Sequence, residues 1–122
     1  NIGYVGLGKL GLACAEKIVD KGYHDKFDID EIESDKIEIC STIKNTVKEC
    51  EIVYVAVPTP HSSEYDGSTP TKDLEPKDFD YTIVKSVLRE ADKHMHPNQL
   101  LVLISTVLPG TTRKEFYPIV KN

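Results

Sequence analysis

Apolar residues recur along this chain in two rhythms. Three short and almost unbroken runs, Ile2–Val5, Glu51–Val57 and Leu100–Thr106, are rich in valine, isoleucine and leucine. The last two have the composition of strands covered on both faces of a sheet. Between the runs, apolar positions fall three or four residues apart. Leu10, Ala13, Cys14 and Ile18 make such a stripe and predict a helix over Lys9–Asp20, with Gly22 as its stop. Ile83, Val84, Val87, Leu88, Ala91 and Met95 make a second; Asp78 or Asp80 can cap its start, and Pro97 marks its end. Shorter signals predict strands at Lys26–Ile29 and Lys36–Cys40 and a helix at Thr42–Glu49. The capping-box spacing of Thr112 and Glu115 opens a last helix.

Strands separated by helices imply βαβ units, a parallel sheet and right-handed crossovers. The expected fold is α/β, doubly wound, with a mainly parallel sheet and helices on both faces. One stretch stays outside this alternation. Residues Pro58–Asp78 carry four prolines and many turn formers, and they leave the C-terminal end of a buried strand. Ligands bind open α/β sheets at that edge, and loops of such length are functional or disordered.

The first strand runs into Gly6-Leu7-Gly8-Lys9-Leu10-Gly11, a G-x-G-x-x-G string followed by the first helical stripe. That context is what a dinucleotide site needs. Gly6 makes the tight turn, Gly8 lets the backbone approach a pyrophosphate, and Gly11 lets the helix pack close. Exposed N–H groups and the positive helix end hold the phosphates, so Lys9 is not required as a ligand. Asp28 follows 20 residues after Gly8 and is positioned to accept hydrogen bonds from the adenosine ribose, with Asp30 as the alternative. A carboxylate there repels a 2′-phosphate, and Asp30, Glu31, Glu33 and Asp35 add to it, which favours NAD over NADP. No G-x-x-x-x-G-K-[ST] string is present, so a P-loop is excluded.

Composition narrows the classes further. A formal net charge of −5 without a basic cluster argues against nucleic acid as a partner. No apolar run is long enough to span a membrane, and the expected location is cytoplasmic. Cys14, Cys40 and Cys50 fit neither a disulfide framework nor a zinc site, and reduced packing thiols are the simple reading. His94 and His96 stand two apart and would point in different directions on a helix, so no metal is expected there. His61 follows the V-P-T-P turn, where it can approach a cofactor or lie on the surface, and the surface is the favoured reading.

Three strings in order, Gly6–Ala15, Val55–His61 and Leu103–Phe116, resemble the nucleotide-sugar dehydrogenase family, whose substrates include UDP-glucose and GDP-mannose. The resemblance covers nearly the whole chain. It implies a Rossmann NAD-binding domain, here 1–122, followed in the longer protein by a central dimerisation helix and a C-terminal UDP-sugar domain. It implies that Gly6, Leu7, Gly8, Lys9, Leu10 and Gly11 hold the pyrophosphate and Asp28 the ribose. Val57, Pro58, Thr59 and Pro60 would line the cofactor, and Ser105, Thr106 and Val107 would sit beside the nicotinamide. Thr106 would support catalysis through an active-site water. The chain departs from the family's G-L-P in reading Gly11-Leu12-Ala13, and its second strand is short and polar.

The activity so implied is oxidation of the C6 hydroxyl of UDP-glucose to the carboxylate with two NAD⁺, in a homodimer. Such chemistry uses a cysteine thiolate, a lysine and a glutamate, all expected beyond Asn122. The alternatives are a GDP-mannose or UDP-N-acetylhexosamine 6-dehydrogenase, a β-hydroxyacid dehydrogenase, or a nucleotide-binding module that oxidises nothing.

Overall fold

The computed structural model describes residues 1–18, 21–23, 35, 37–68, 70 and 72–120. Among the described residues, five parallel strands form one sheet in the order β3-β2-β1-β4-β5. They are β1 (Ile2–Val5), β2 (Lys21–Tyr23), β3 (Glu38–Cys40), β4 (Ile52–Val55) and β5 (Leu100–Leu103). The helices are α1 (Lys9–Ile18), α2 (Ile43–Lys48) and α3 (Thr82–Asp92). The order turns back at β1, with β2 on one side and β4 on the other. That is the switch point of a doubly wound, Rossmann-type fold.

Alternation along the strands sends neighbouring residues to opposite faces. Tyr4 packs with Leu7, Ala15 of α1 and Ile37 on one face. Val5, Val53 and Val55 pack with Val47 of α2 and Ala91 of α3 on the other. A third cluster of Tyr81, Val84, Leu88 and Phe116 extends that second face beneath Leu101 and Leu103. Thr42 caps α2 by accepting the Asn45 N–H at 3.2 Å. The Gln99 amide closes its other end, donating to the carbonyls of Val47 (2.8 Å) and Cys50 (2.7 Å).

Register decides where the loops emerge. Val5 lies opposite Val55, and Val55 opposite Leu103. The segments leaving β1, β4 and β5 therefore start at one edge, side by side.

Several expectations need correction. The second strand is Lys21–Tyr23; the predicted strand at 26–29 lies outside the described residues, and so do Asp28 and Asp30. Gly22 does not stop a helix but sits inside β2, where a Cβ would come within 2.7 Å of Leu7 Cδ1. The helix after β5 is a single wide turn, Thr112–Phe116, and no capping box forms, because Glu115 reaches Lys85 instead. Tyr81 is the N-cap residue of α3 without a side-chain cap, while Asp80 Oδ1 accepts the Thr82 N–H at 2.8 Å. Finally, β5 is not covered on both faces: Leu100 and Ile104 are 55% and 48% exposed. Strand composition reports burial on average, and β5 ends the described sheet, with β4 as its neighbour.

Candidate functional site

The glycine loop is built by close backbone approach. Gly6 has φ +100°, and a Cβ there would lie 2.0 Å from the Ala56 carbonyl oxygen. Two strand ends thus meet at the switch point, joined also by Ala56 N–H donating to Val5 O at 2.8 Å. A side chain at Gly6 would be strained by its dihedral and excluded by contact. Gly11 is equally tight, since its Cβ would meet the Gly6 carbonyl oxygen at 2.1 Å. The helix therefore packs first against the loop itself, and only then against the sheet, where Tyr4 Cε1 is 3.5 Å away.

Gly8 differs from both. A Cβ there would meet nothing within 4 Å. Leu12 N–H donates to Gly8 O at 2.8 Å, so Gly8 opens the first turn of α1 at its positive end. The middle glycine leaves open space in front of a helix N-terminus, which is the room a diphosphate needs. Leu7 turns its side chain fully into the core, leaving only its main chain for a ligand. Beneath the loop the buried Tyr4 ring stacks on Tyr54 with centroids 5.8 Å apart. Its hydroxyl has no hydrogen-bond partner among the described residues. Burial, then the Cys14 thiol and the Tyr54 phenol, pushes the Tyr4 pKa above the usual range.

The V-P-T-P turn and the S-T-V string leave the adjacent strand ends. Their junction is a reciprocal pair of hydrogen bonds: Val57 N–H donates to Ser105 Oγ at 2.9 Å, and Ser105 Oγ–H donates to Val57 O at 2.8 Å. Thr59 is half-buried between the exposed Pro58 and Pro60, Val107 is half-buried, and Thr106 is exposed. Asp80 N–H donates to Pro60 O at 2.8 Å, holding the turn to the start of α3. The structure therefore brings Gly6, Val57 and Ser105 to one edge and places Gly8, Thr59 and Thr106 along it.

The long loop is stitched internally. A single 3-10 turn spans Ser63–Tyr65, the Tyr65 hydroxyl donates to the Glu75 carbonyl, and Lys77 pairs with Glu64. The Lys77 hydrogen bond, and then its charge, holds the Glu64 carboxyl below the usual range; both groups are exposed and add little stability. A shallow cleft of about 340 Å³ lies beside this loop, lined by Pro60, His61, Ser62, Asp78, Phe79 and Asp80. Its charged lining is acidic, which suits a diphosphate poorly. The His61 ring contacts the Ser62 carbonyl at 2.9 Å and is exposed.

Sequence reasoning missed Tyr81 altogether. Its phenol reaches Asp78, Leu108 and Thr111. Asp78 is a local partner, but Leu108 and Thr111 lie 27 and 30 residues away, and nothing local marks those two contacts.

Comparison with known proteins agrees with this geometry. Residues 17–122 match the UDP-glucose/GDP-mannose dehydrogenase family, NAD binding domain, a span that begins after the glycine loop. No curated protein sequence matches the chain. Among solved structures, the fold resembles an NDP-N-acetyl-D-galactosaminuronic acid dehydrogenase from Methanosarcina mazei Go1, with TM-score 0.72 and 22% identity over 98% of this chain and 30% of that one. It also resembles a GDP-mannose dehydrogenase from Pseudomonas aeruginosa, with TM-score 0.73 and 21% identity over 98% and 31%. A UDP-glucose dehydrogenase from Pyrobaculum islandicum gives TM-score 0.67 and 20% identity over 92% and 30%. The chain thus spans about a third of the length of these proteins. At such identities the likeness speaks for the fold, and the family match speaks for the cofactor. A parallel sheet in this order, a glycine loop at its switch point and a family match over most of the chain agree: this chain belongs to the UDP-glucose/GDP-mannose dehydrogenase family and is an NAD-binding domain of it.

Proposed function

We propose that this chain is the cofactor-binding part of an NAD-dependent UDP-glucose 6-dehydrogenase, which oxidises the sugar C6 hydroxyl to the carboxylate. The observation that carries the cofactor part of the reading is the contrast within the glycine loop; the nucleotide-sugar part rests on the family match. Gly6 and Gly11 are closed against backbone, while Gly8 opens onto free space at a helix N-terminus. Main-chain N–H groups of Gly6–Gly11 would hold the diphosphate there, and Asp28, or Asp30, the adenosine ribose.

The turn Val57–Pro60 would line the cofactor beyond its diphosphate. Val107 would pack beside the nicotinamide, and the exposed Thr106 hydroxyl would orient a water at the reacting end. Bound NAD⁺ supplies a hydride acceptor. Ser105 spends its proton and one acceptor position on Val57, so its contribution is to fix the turn. The substrate alcohol, the nucleophilic thiolate and the proton-transfer groups are assigned to a C-terminal UDP-sugar domain beyond Asn122, in a cytoplasmic homodimer. For the chain itself, no helix among the described residues is long and apolar enough to cross a membrane.

The test is stoichiometric. Full-length protein given NAD⁺ and UDP-glucose should form two NADH per sugar consumed. GDP-mannose and UDP-N-acetylhexosamines run in parallel should give much less. Two NADH from one of those instead would move the substrate assignment. A single NADH would point to a simple alcohol dehydrogenase, and NAD⁺ binding without turnover to a nucleotide-binding module.

A further inference from the structure

Thr106 is exposed, yet the backbone carrying it is tied down on both sides. On one side the Ser105 hydroxyl exchanges hydrogen bonds with both main-chain groups of Val57. On the other, the Tyr81 phenol accepts the Leu108 N–H at 3.2 Å, lies 3.4 Å from Thr111 Oγ1, and donates to Asp78 Oδ1. Tyr81 is 7% exposed, and its ring meets Phe116 edge-on with centroids 5.3 Å apart at 88°. Packing therefore aims the hydroxyl, and its hydrogen-bonding capacity is fully used.

The segment that carries this phenol also holds the neighbouring turn, through Asp80 N–H on Pro60 O. Residues 78–81 thus brace two loops at once, one from β4 and one from β5. Thr111 N–H donates to Leu108 O at 3.1 Å across a turn with Gly110 at φ +87°, so the far end cannot slide freely. Only Thr106 and Val107 lie between the two anchors.

We infer that Tyr81 is a positioning residue that sets the Thr106 hydroxyl through the Leu108 backbone, with Ser105 as the opposite anchor. This rests on the proposed placement of Thr106 at the reacting end of the cofactor site. Tyr81 itself is buried and fully engaged, so it touches neither cofactor nor substrate. Displacements of a fraction of an ångström matter for a group that orients a reacting water, and the phenol restrains the arch at that scale.

A double-mutant cycle in the full-length enzyme tests this, run well below the unfolding temperature. Tyr81→Phe keeps the ring against Phe116 and removes only the hydroxyl. It should lower kcat about tenfold and leave the NAD⁺ Kd within about twofold, because the glycine loop is untouched. Thr106→Ala should cost at least as much. The pair together should cost no more than Thr106→Ala alone, since each acts through the same hydroxyl. Multiplying losses, or a Tyr81→Phe enzyme with unchanged kcat, would overturn the inference. If Thr106→Ala alone leaves kcat intact while wild-type enzyme still yields two NADH, the placement of Thr106 fails and the inference with it, but the activity stands. Should Tyr81→Phe not fold, Asp78→Asn enters the same cycle, keeping the shape of the Tyr81 acceptor while weakening it. A loss of about threefold that vanishes beside Thr106→Ala is the supporting result, and an additive loss the contrary one.

Discussion

At the end of β1 the chain turns by leaving side chains out, whereas at the ends of β4 and β5 it turns by tying them down. Gly6 and Gly11 touch backbone where any Cβ would collide, and Gly8 faces open space. The other two turns depend on Ser105 and Tyr81, whose partners lie 48 and 27 residues away. The first region owes its shape to exclusion, and its cradle is main chain. The second owes its shape to directed hydrogen bonds, which fix where a few side chains point. A cradle for a diphosphate and a support for one hydroxyl ask for those two different constructions.

Substitutions in the full-length protein can break this contrast. Gly6→Ala should have the largest effect, because it combines a positive φ with a Cβ 2.0 Å from Ala56 O. A loss of at least about 3 kcal/mol, or no folded protein, is expected in denaturant unfolding. A variant as stable as wild type would mean that contact does not govern the loop.

Gly8→Asp separates the glycines from one another. The site is sterically open, and an aspartate at a helix start caps it and complements the dipole, so the melting temperature should hold or rise. The same carboxylate would stand where the diphosphate must lie. Calorimetry should show NAD⁺ affinity reduced about a hundredfold or more, roughly 2.7 kcal/mol. Undiminished affinity would place the dinucleotide elsewhere.

Ser105→Ala probes the tethered region. It strips Val57 of two hydrogen bonds at a half-buried junction and should cost about 1–3 kcal/mol in unfolding free energy. No measurable loss would show that the turn holds its shape without the serine.

The smallest effect belongs to the ion pair beside the arch. The Lys85 ammonium donates to Glu115 at 2.8 Å. That hydrogen bond, then the Lys85 charge, holds the Glu115 carboxyl below its usual range. A lowered folded-state pKa contributes stability that is complete above the ordinary glutamate value of about 4.3 and lost as pH falls through the depressed one. Unfolding curves of wild type and Lys85→Met should separate slightly above that window and converge below it. Curves that coincide at every pH would strip the pair of any role.

Much of the molecule was legible residue by residue. The strand runs, the α3 stripe and the glycine spacing are local signals, and each produced its element near the expected place. Where local signals are thin, contacts distant in sequence decide the structure. The expected strand at 26–29 lies outside the described residues, whereas Gly22, placed by spacing as a helix stop, sits inside β2 and makes room for Leu7. The capping-box spacing at Thr112 and Glu115 misled because Lys85, 30 residues away in sequence, competes for the same carboxylate.

Amino-acid order alone determined the α/β alternation and the bare Gly6–Gly11 loop, since both follow from periodicity and from the absence of a Cβ. The three strings that resemble the dehydrogenases could be read there as well. Only the folded chain decided that β1, β4 and β5 end side by side, that Ser105 is spent on Val57, and that Tyr81 reaches the segment holding Thr106. Those contacts join residues far apart in sequence. They come into being when the sheet fixes its register, and no local pattern encodes a hydrogen bond between partners that distant.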